Sequence, residues 1–236
     1  METTLYQIAT VAFILLTASL FVYVLITLKK SFQSIVPADQ AMKWLKISAA
    51  ILGGWLLFLA VLALSGFFQN FQALPPRFAL ALLPPVLGII IISNIKGTNT
   101  ILAALPESSL ISFQTFRIVM ELILWVLYLA YIIPVQMTFE GMNFDVLVGL
   151  TAPVISYLCF KKKKWPISVA IFWNFLGLTL LATIVSIAIL SAPTPFRQFM
   201  TDPAPTFIAS VPYYGYRVLW FQWLCMDMCC PLNNCG

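Results

Sequence analysis

The chain is 236 residues long, 61% apolar and only 9% charged, with no histidine and a mean hydropathy of +0.97. A soluble domain carries about 25% charged residues, so this composition excludes one, and the missing histidine excludes His-ligated haem, His-containing zinc or copper sites, Ser-His-Asp triads and Cys-His nucleophile pairs. The net charge of +5 sits in short basic clusters beside apolar runs, which points to membrane topogenesis and away from nucleic acid.

The apolar runs are long enough to cross a hydrocarbon core of about 30 Å as helices, and they predict an all-α, polytopic transmembrane helical bundle of six spans. The first covers 8–28. It follows no basic n-region and contains no small-x-small cleavage pattern, so it reads as a retained span rather than a signal peptide. The second, 47–68, carries Ala49, Ala50, Gly53 and Gly54 at overlapping small-x-x-x-small spacings, which let helices approach closely. The third, 78–93, is short, with Pro75 and Pro76 at its mouth and Pro84 and Pro85 inside, and a kink is expected near Leu83. The fourth covers 116–133. The fifth, 144–160, is expected to be bent or locally opened, because Gly149 and Pro153 flank Thr151, and broken spans line substrate sites in transporters. The sixth covers 167–190. A seventh candidate, 206–230, is interrupted by Pro212, Gly215, Arg217 and Asp227.

Ten of the thirteen basic residues fall in alternate loops: Lys29, Lys30, Lys43 and Lys46, then Lys96 and Arg117, then Lys161, Lys162, Lys163 and Lys164. Only Arg77 and Arg197 lie in the other loops, with Arg217 in the tail. Lysine and arginine in short loops stay on the cytoplasmic side. The expectation is therefore an integral protein of the plasma (cytoplasmic) membrane with its N-terminus outside, and one membrane domain over 1–236.

Two polar groups stand out. Arg117, Glu121, Leu124, Tyr128 and Tyr131 share one face of the fourth span at 3.6 residues per turn. A charge at the bilayer centre costs about 2.5 to 3.5 kcal/mol on insertion scales, and such groups face a bundle interior or a water-filled cavity. Glu121 is thus the leading candidate for a ligand or ion path. The plainer reading has Arg117 snorkelling to the cytoplasmic headgroups, with Glu121, about 6 Å deeper, neutralising it as an interfacial ion pair. The second group is Glu140, Asn143 and Asp145 before the fifth span. Their oxygens can serve a hard cation, but calcium needs six or more oxygens and a helix cap needs one side chain, which favours Asn143 or Asp145 as a cap, with Asp145 at the positive helix end.

The run Lys161, Lys162, Lys163 and Lys164 is a topology signal that also attracts anionic lipid headgroups, at about 1 kcal/mol per lysine. Cys159 ends the fifth span, while Cys225, Cys229, Cys230 and Cys235 have a spacing that suits thiolates on a metal or disulfides but matches no zinc ribbon. From residue 213 onward the Leu, Ile, Val and Ala texture gives way to Tyr, Trp, Cys and Asn. The expectation is that this tail reflects a reading-frame change or truncation, with a native seventh span beginning near Phe207. No catalytic constellation is visible, so neither an enzyme nor a cofactor is expected. The favoured function is small-molecule or ion binding or transport, and the alternative is a non-catalytic accessory or structural membrane subunit.

Overall fold

The computed structural model describes residues 2–73, 77, 104–105, 107–195, 197–200, 202–209 and 213. The expected third span, 78–93, and most of the seventh candidate lie outside these residues, as do all the cysteines after Cys159. Of the seventh candidate, Thr206–Ala209 is a single 3-10 turn.

Proline and glycine set the boundaries of the described elements. Helix α1, Glu2–Ile35, stops ahead of Pro37, whose ring disfavours helical backbone in the residue before it, and α2, Ala38–Leu64, starts directly after that proline. Gly66, at φ 73, ends the second helix in the left-handed region that glycine enters without penalty. Helices α3, Glu107–Phe113, and α4, Phe116–Leu129, run on as one stretch of 23 residues, Glu107–Leu129. At the join the chain tightens into 3-10 hydrogen bonds: Arg117 N–H donates to Gln114 O at 3.1 Å and Ile118 N–H to Thr115 O at 3.1 Å. Helix α5, Asp145–Ile155, contains Pro153 and continues as a π-helical turn, Ser156–Lys161. Helix α6, Ile167–Ser191, follows Pro166.

Four of these stretches are long and apolar enough to cross a membrane: Thr3–Ile35, Ala38–Leu64, Glu107–Leu129 and Ile167–Ser191. Glu107–Leu129 is the central one, with 56% of its most apolar window buried against 11% for Ala38–Leu64. The main core joins Phe13, Leu16 and Leu20 of α1 to Leu124 and Leu127 of α4 and Leu181 and Ile184 of α6. A second cluster seals α5 against α6 through Val148, Ala152, Ala170 and Trp173.

The helix at the place of the expected fourth span departs from the sequence reading at both ends. It begins at Glu107, not 116, because Ser108, Ser109, Ser112 and Gln114 dilute its hydropathy while lying inside the bundle. The Ser112 hydroxyl donates to Ser156 Oγ at 2.8 Å, Ser156 donates to the Ser108 carbonyl at 2.7 Å, and the Tyr23 hydroxyl donates to the Ser109 carbonyl at 2.9 Å. It ends at Leu129, and Tyr131 has turned into the left-handed region at φ 55. Among the described residues, a Cβ on Gly53 would touch Phe21 at 3.9 Å and one on Gly54 would meet nothing within 4 Å.

The contacts order the helix ends. Glu107, Lys163 and Ile167 border one cavity, and Tyr23, less than two turns before Lys29, reaches Ser109. Lys29, Lys30 and Lys161, Lys162, Lys163 and Lys164 therefore gather at one end of the bundle. Toward the other end, the Thr10 and Tyr213 hydroxyls meet at 2.9 Å and Phe207 packs edge-on to Tyr213.

Candidate functional site

The expected position of Arg117 at a helix end does not hold. With the helix starting at Glu107, Arg117 lies about 15 Å along it and about 18 Å from Leu129 at 1.5 Å per residue, and it is 1% exposed. It cannot snorkel from there. A buried guanidinium needs partners for its fixed fork of donors, and it finds them on three elements. Nε donates to Gln114 Oε1 at 2.8 Å, Nη1 is ion-paired and hydrogen-bonded to Asp145 Oδ1, and Nη1 also reaches the Gly177 carbonyl at 3.4 Å.

Two glycines allow this approach. A Cβ on Gly149 would sit 2.9 Å from both the backbone nitrogen and Cγ1 of Ile118 and 3.2 Å from Arg117 Cβ. One on Gly177 would lie 3.3 Å from Val148 and 3.9 Å from Arg117 Nη2. Without side chains at these positions, α5 and α6 close directly on α4 at the level of the arginine.

The expected intrahelical pairing of Arg117 with Glu121 is replaced by two contacts to other elements, one to α5 and one to the non-helical segment before it. Arg117 takes Asp145, while Glu121, 3% exposed, accepts a 2.5 Å hydrogen bond from Asn143 Nδ2. Asn143 Nδ2 also donates to the Met137 carbonyl at 3.2 Å, and its Oδ1 accepts from the Asp145 amide at 3.2 Å. Asn143 thus ties the non-helical segment 130–144, with its 3-10 turn Val135–Met137, to the first residue of α5. It caps locally, as expected of this position, although Phe144 occupies the N-cap itself and makes no side-chain capping bond. Asp145 does lie at the positive end of α5, but its carboxylate is committed to the arginine.

The remaining site candidates are not brought together. Glu140 is exposed and accepts from Trp125 Nε1 at 2.8 Å, away from Asn143 and Asp145, so the three oxygen-bearing residues form no common ligand set. Tyr131 is 72% exposed because the helix has ended before it. Tyr128 is half-buried against the main core. Gln114 and Gly177 belong to the cluster and were not singled out from sequence. Gln114, a polar residue one turn before Arg117 in an apolar stretch, was the available signal. No sequence pattern marks a backbone carbonyl such as that of Gly177.

The result is a buried cluster of Gln114, Arg117, Glu121, Asn143 and Asp145, about midway along the central helix. The formal charges of Arg117 and Asp145 cancel. Glu121 Oε1 has an amide partner, and Oε2 is buried with no hydrogen-bond partner among the described residues. A carboxyl group so placed is suited to holding a proton or a cation in an interior from which water is excluded. Among the described residues no group of three or more Cys, Asp and Glu is placed to hold a metal ion.

No protein-family model, curated protein sequence or solved structure matches this chain. The class is therefore defined by the fold and the cluster alone: a helical bundle with, among its described residues, four helices long and apolar enough to cross a membrane and an ion-paired polar centre inside it.

Proposed function

We propose that this chain is a multi-pass integral protein of the plasma membrane that binds or conducts a small molecule or ion at the Glu121 centre. On this reading six spans cross the bilayer, the N-terminus is outside, and the lysine-bearing end faces the cytoplasm. Support for the orientation comes from the basic residues, which the positive-inside rule places on the cytoplasmic side. The fifth crossing combines the short α5 and its π turn with the non-helical segment 130–144, and irregular backbone at membrane depth is tolerated only inside protein or against a cavity.

The observation that carries this reading is the buried Glu121 carboxyl, one oxygen of which has no partner among the described residues, where segment 130–144 meets the start of α5. Glu121→Gln keeps the shape and the acceptor for Asn143 while removing the ionisable group. Native mass spectrometry from mild detergent is expected to show an adduct on the wild type that the variant loses, with thermal stability retained. If the bound species are the same in both proteins, Glu121 has no part in binding. A second reading, an accessory subunit, draws on α2, which leaves Leu57 67% and Leu64 76% exposed and Gly54 untouched by any described residue. A protein subunit that co-purifies stoichiometrically and is lost in Gly54→Leu would favour it.

A further inference from the structure

At the lysine-bearing end, a cavity of about 530 Å³ is bordered by Glu107, Ser108, Cys159, Phe160, Lys163 and Ile167. Its walls are the start of α3, the π turn and the first residue of α6, so it opens where three transmembrane elements leave the apolar zone. Tyr157 and Trp165 of the same segment are 46% and 42% exposed, as aromatic residues at a membrane interface are. One wall is apolar, through Phe160 and Ile167. The rest of the lining includes the polar residues Ser108, Glu107 and Lys163.

Of the four consecutive lysines, Lys163 alone borders the cavity. Lys162 instead lies over the Tyr157 ring, with Nζ 5.8 Å from the centroid. Lys163 is placed there by an unusual backbone, φ 50, a left-handed conformation that costs a non-glycine residue stability. The turn is held by Lys162 N–H donating to Tyr157 O at 2.8 Å and Lys164 N–H to Leu158 O at 2.9 Å, bonds that the π turn makes available. Glycine or asparagine would occupy this position with less strain. A lysine rather than a glycine or asparagine thus stands at the one residue of the run that borders the cavity.

We propose that this cavity is a site for the phosphodiester headgroup of an anionic glycerophospholipid. Lys163 binds the phosphate, Ser108 and Glu107 face the polar part of the headgroup, and the first acyl carbons lie along Phe160 and Ile167. The inference rests on the chain spanning a membrane but is independent of the Glu121 centre. It assigns one lysine a specific contact and leaves Lys161, Lys162 and Lys164 as general electrostatic attraction.

The test compares Lys163→Gly with Lys164→Ala, which remove the same charge. Lys163→Gly also relieves the left-handed strain, so it is expected to fold at least as well as the wild type. The proteins are purified and titrated with mixed micelles of phosphatidylglycerol or phosphatidylcholine, and bound lipid is counted by native mass spectrometry. Expected are a preference for phosphatidylglycerol in the wild type, a loss of about fivefold or more in Lys163→Gly, and a smaller loss in Lys164→Ala. Equal losses in the two variants would reduce the lysines to diffuse attraction and overturn the site. Displacement of the lipid by millimolar inorganic phosphate would assign the cavity to a free anion and overturn the lipid assignment. Loss of the Glu121-dependent adduct with lipid preference intact would leave this inference standing.

Discussion

Asp145→Leu strands the Arg117 guanidinium inside the bundle, and the size of the resulting loss tests whether the pair is formed between helices. Both side chains are buried, with side-chain exposures of 1% and 6%, and removing one member of such a pair costs about 3 to 5 kcal/mol because the other charge stays without compensation. Arg117→Met is expected to cost a similar amount. The double variant removes both charges, and the Gln114 amide and the Gly177 carbonyl lose a donor, an effect of about 1 to 3 kcal/mol. The two losses should therefore be far from additive, with a coupling of about 2 kcal/mol or more. Unfolding by SDS in mixed micelles, followed through tryptophan fluorescence, measures all four proteins. The parallel cycle between Arg117 and Glu121 should give a clearly smaller coupling, since Glu121 bonds to Asn143. Additivity within about 0.5 kcal/mol for Arg117 and Asp145, or a larger coupling to Glu121, would refute the interhelical pairing and restore the intrahelical ion pair.

Other substitutions probe the local geometry. Gly149→Ala places a Cβ 2.9 Å from a backbone nitrogen of α4 and should destabilise by about 1 to 3 kcal/mol despite alanine's better helix propensity. Gly54→Ala has open space and should be neutral or stabilising by up to about 1 kcal/mol, measured by the same unfolding assay. Tyr131→Gly removes a left-handed tyrosine that is 72% exposed and should leave stability unchanged or raise it by about 1 kcal/mol. A loss above that would mean the phenol has a packing role. Glu121→Gln, with adduct loss and fold retained, and Lys163→Gly, with anionic lipid lost, complete the set.

The sequence pointed to the right residue types and, for several of them, to the wrong partners. Arg117, Glu121, Asn143 and Asp145 were all legible, because a charged or amide group in an apolar run has to be accommodated somewhere. Their pairing was not, since the spacing of 117 and 121 on one helix is visible in sequence while the meeting of 117 with 145 depends on where α5 begins. That start in turn depends on segment 130–144 returning alongside the central helix without forming one. Hydropathy also misplaced the beginning of the central helix, where Ser108, Ser109 and Ser112 look like a loop but pair with Ser156 and Tyr23. The 3.6-residue face failed at Tyr131 for a simpler reason: the helix had already ended.

The separation of 28 residues between Arg117 and Asp145 also bears on biogenesis. At about 5 to 20 residues per second, synthesis of the intervening segment takes roughly 1 to 6 seconds, during which the central helix carries its arginine without the aspartate. On the proposed six-span reading, the insertion machinery shelters 107–161 as one hairpin and releases it to lipid only after α5 has emerged. Arresting translation between these two residues should accordingly leave the nascent helix extractable from the membrane, and arrest beyond the π turn should not.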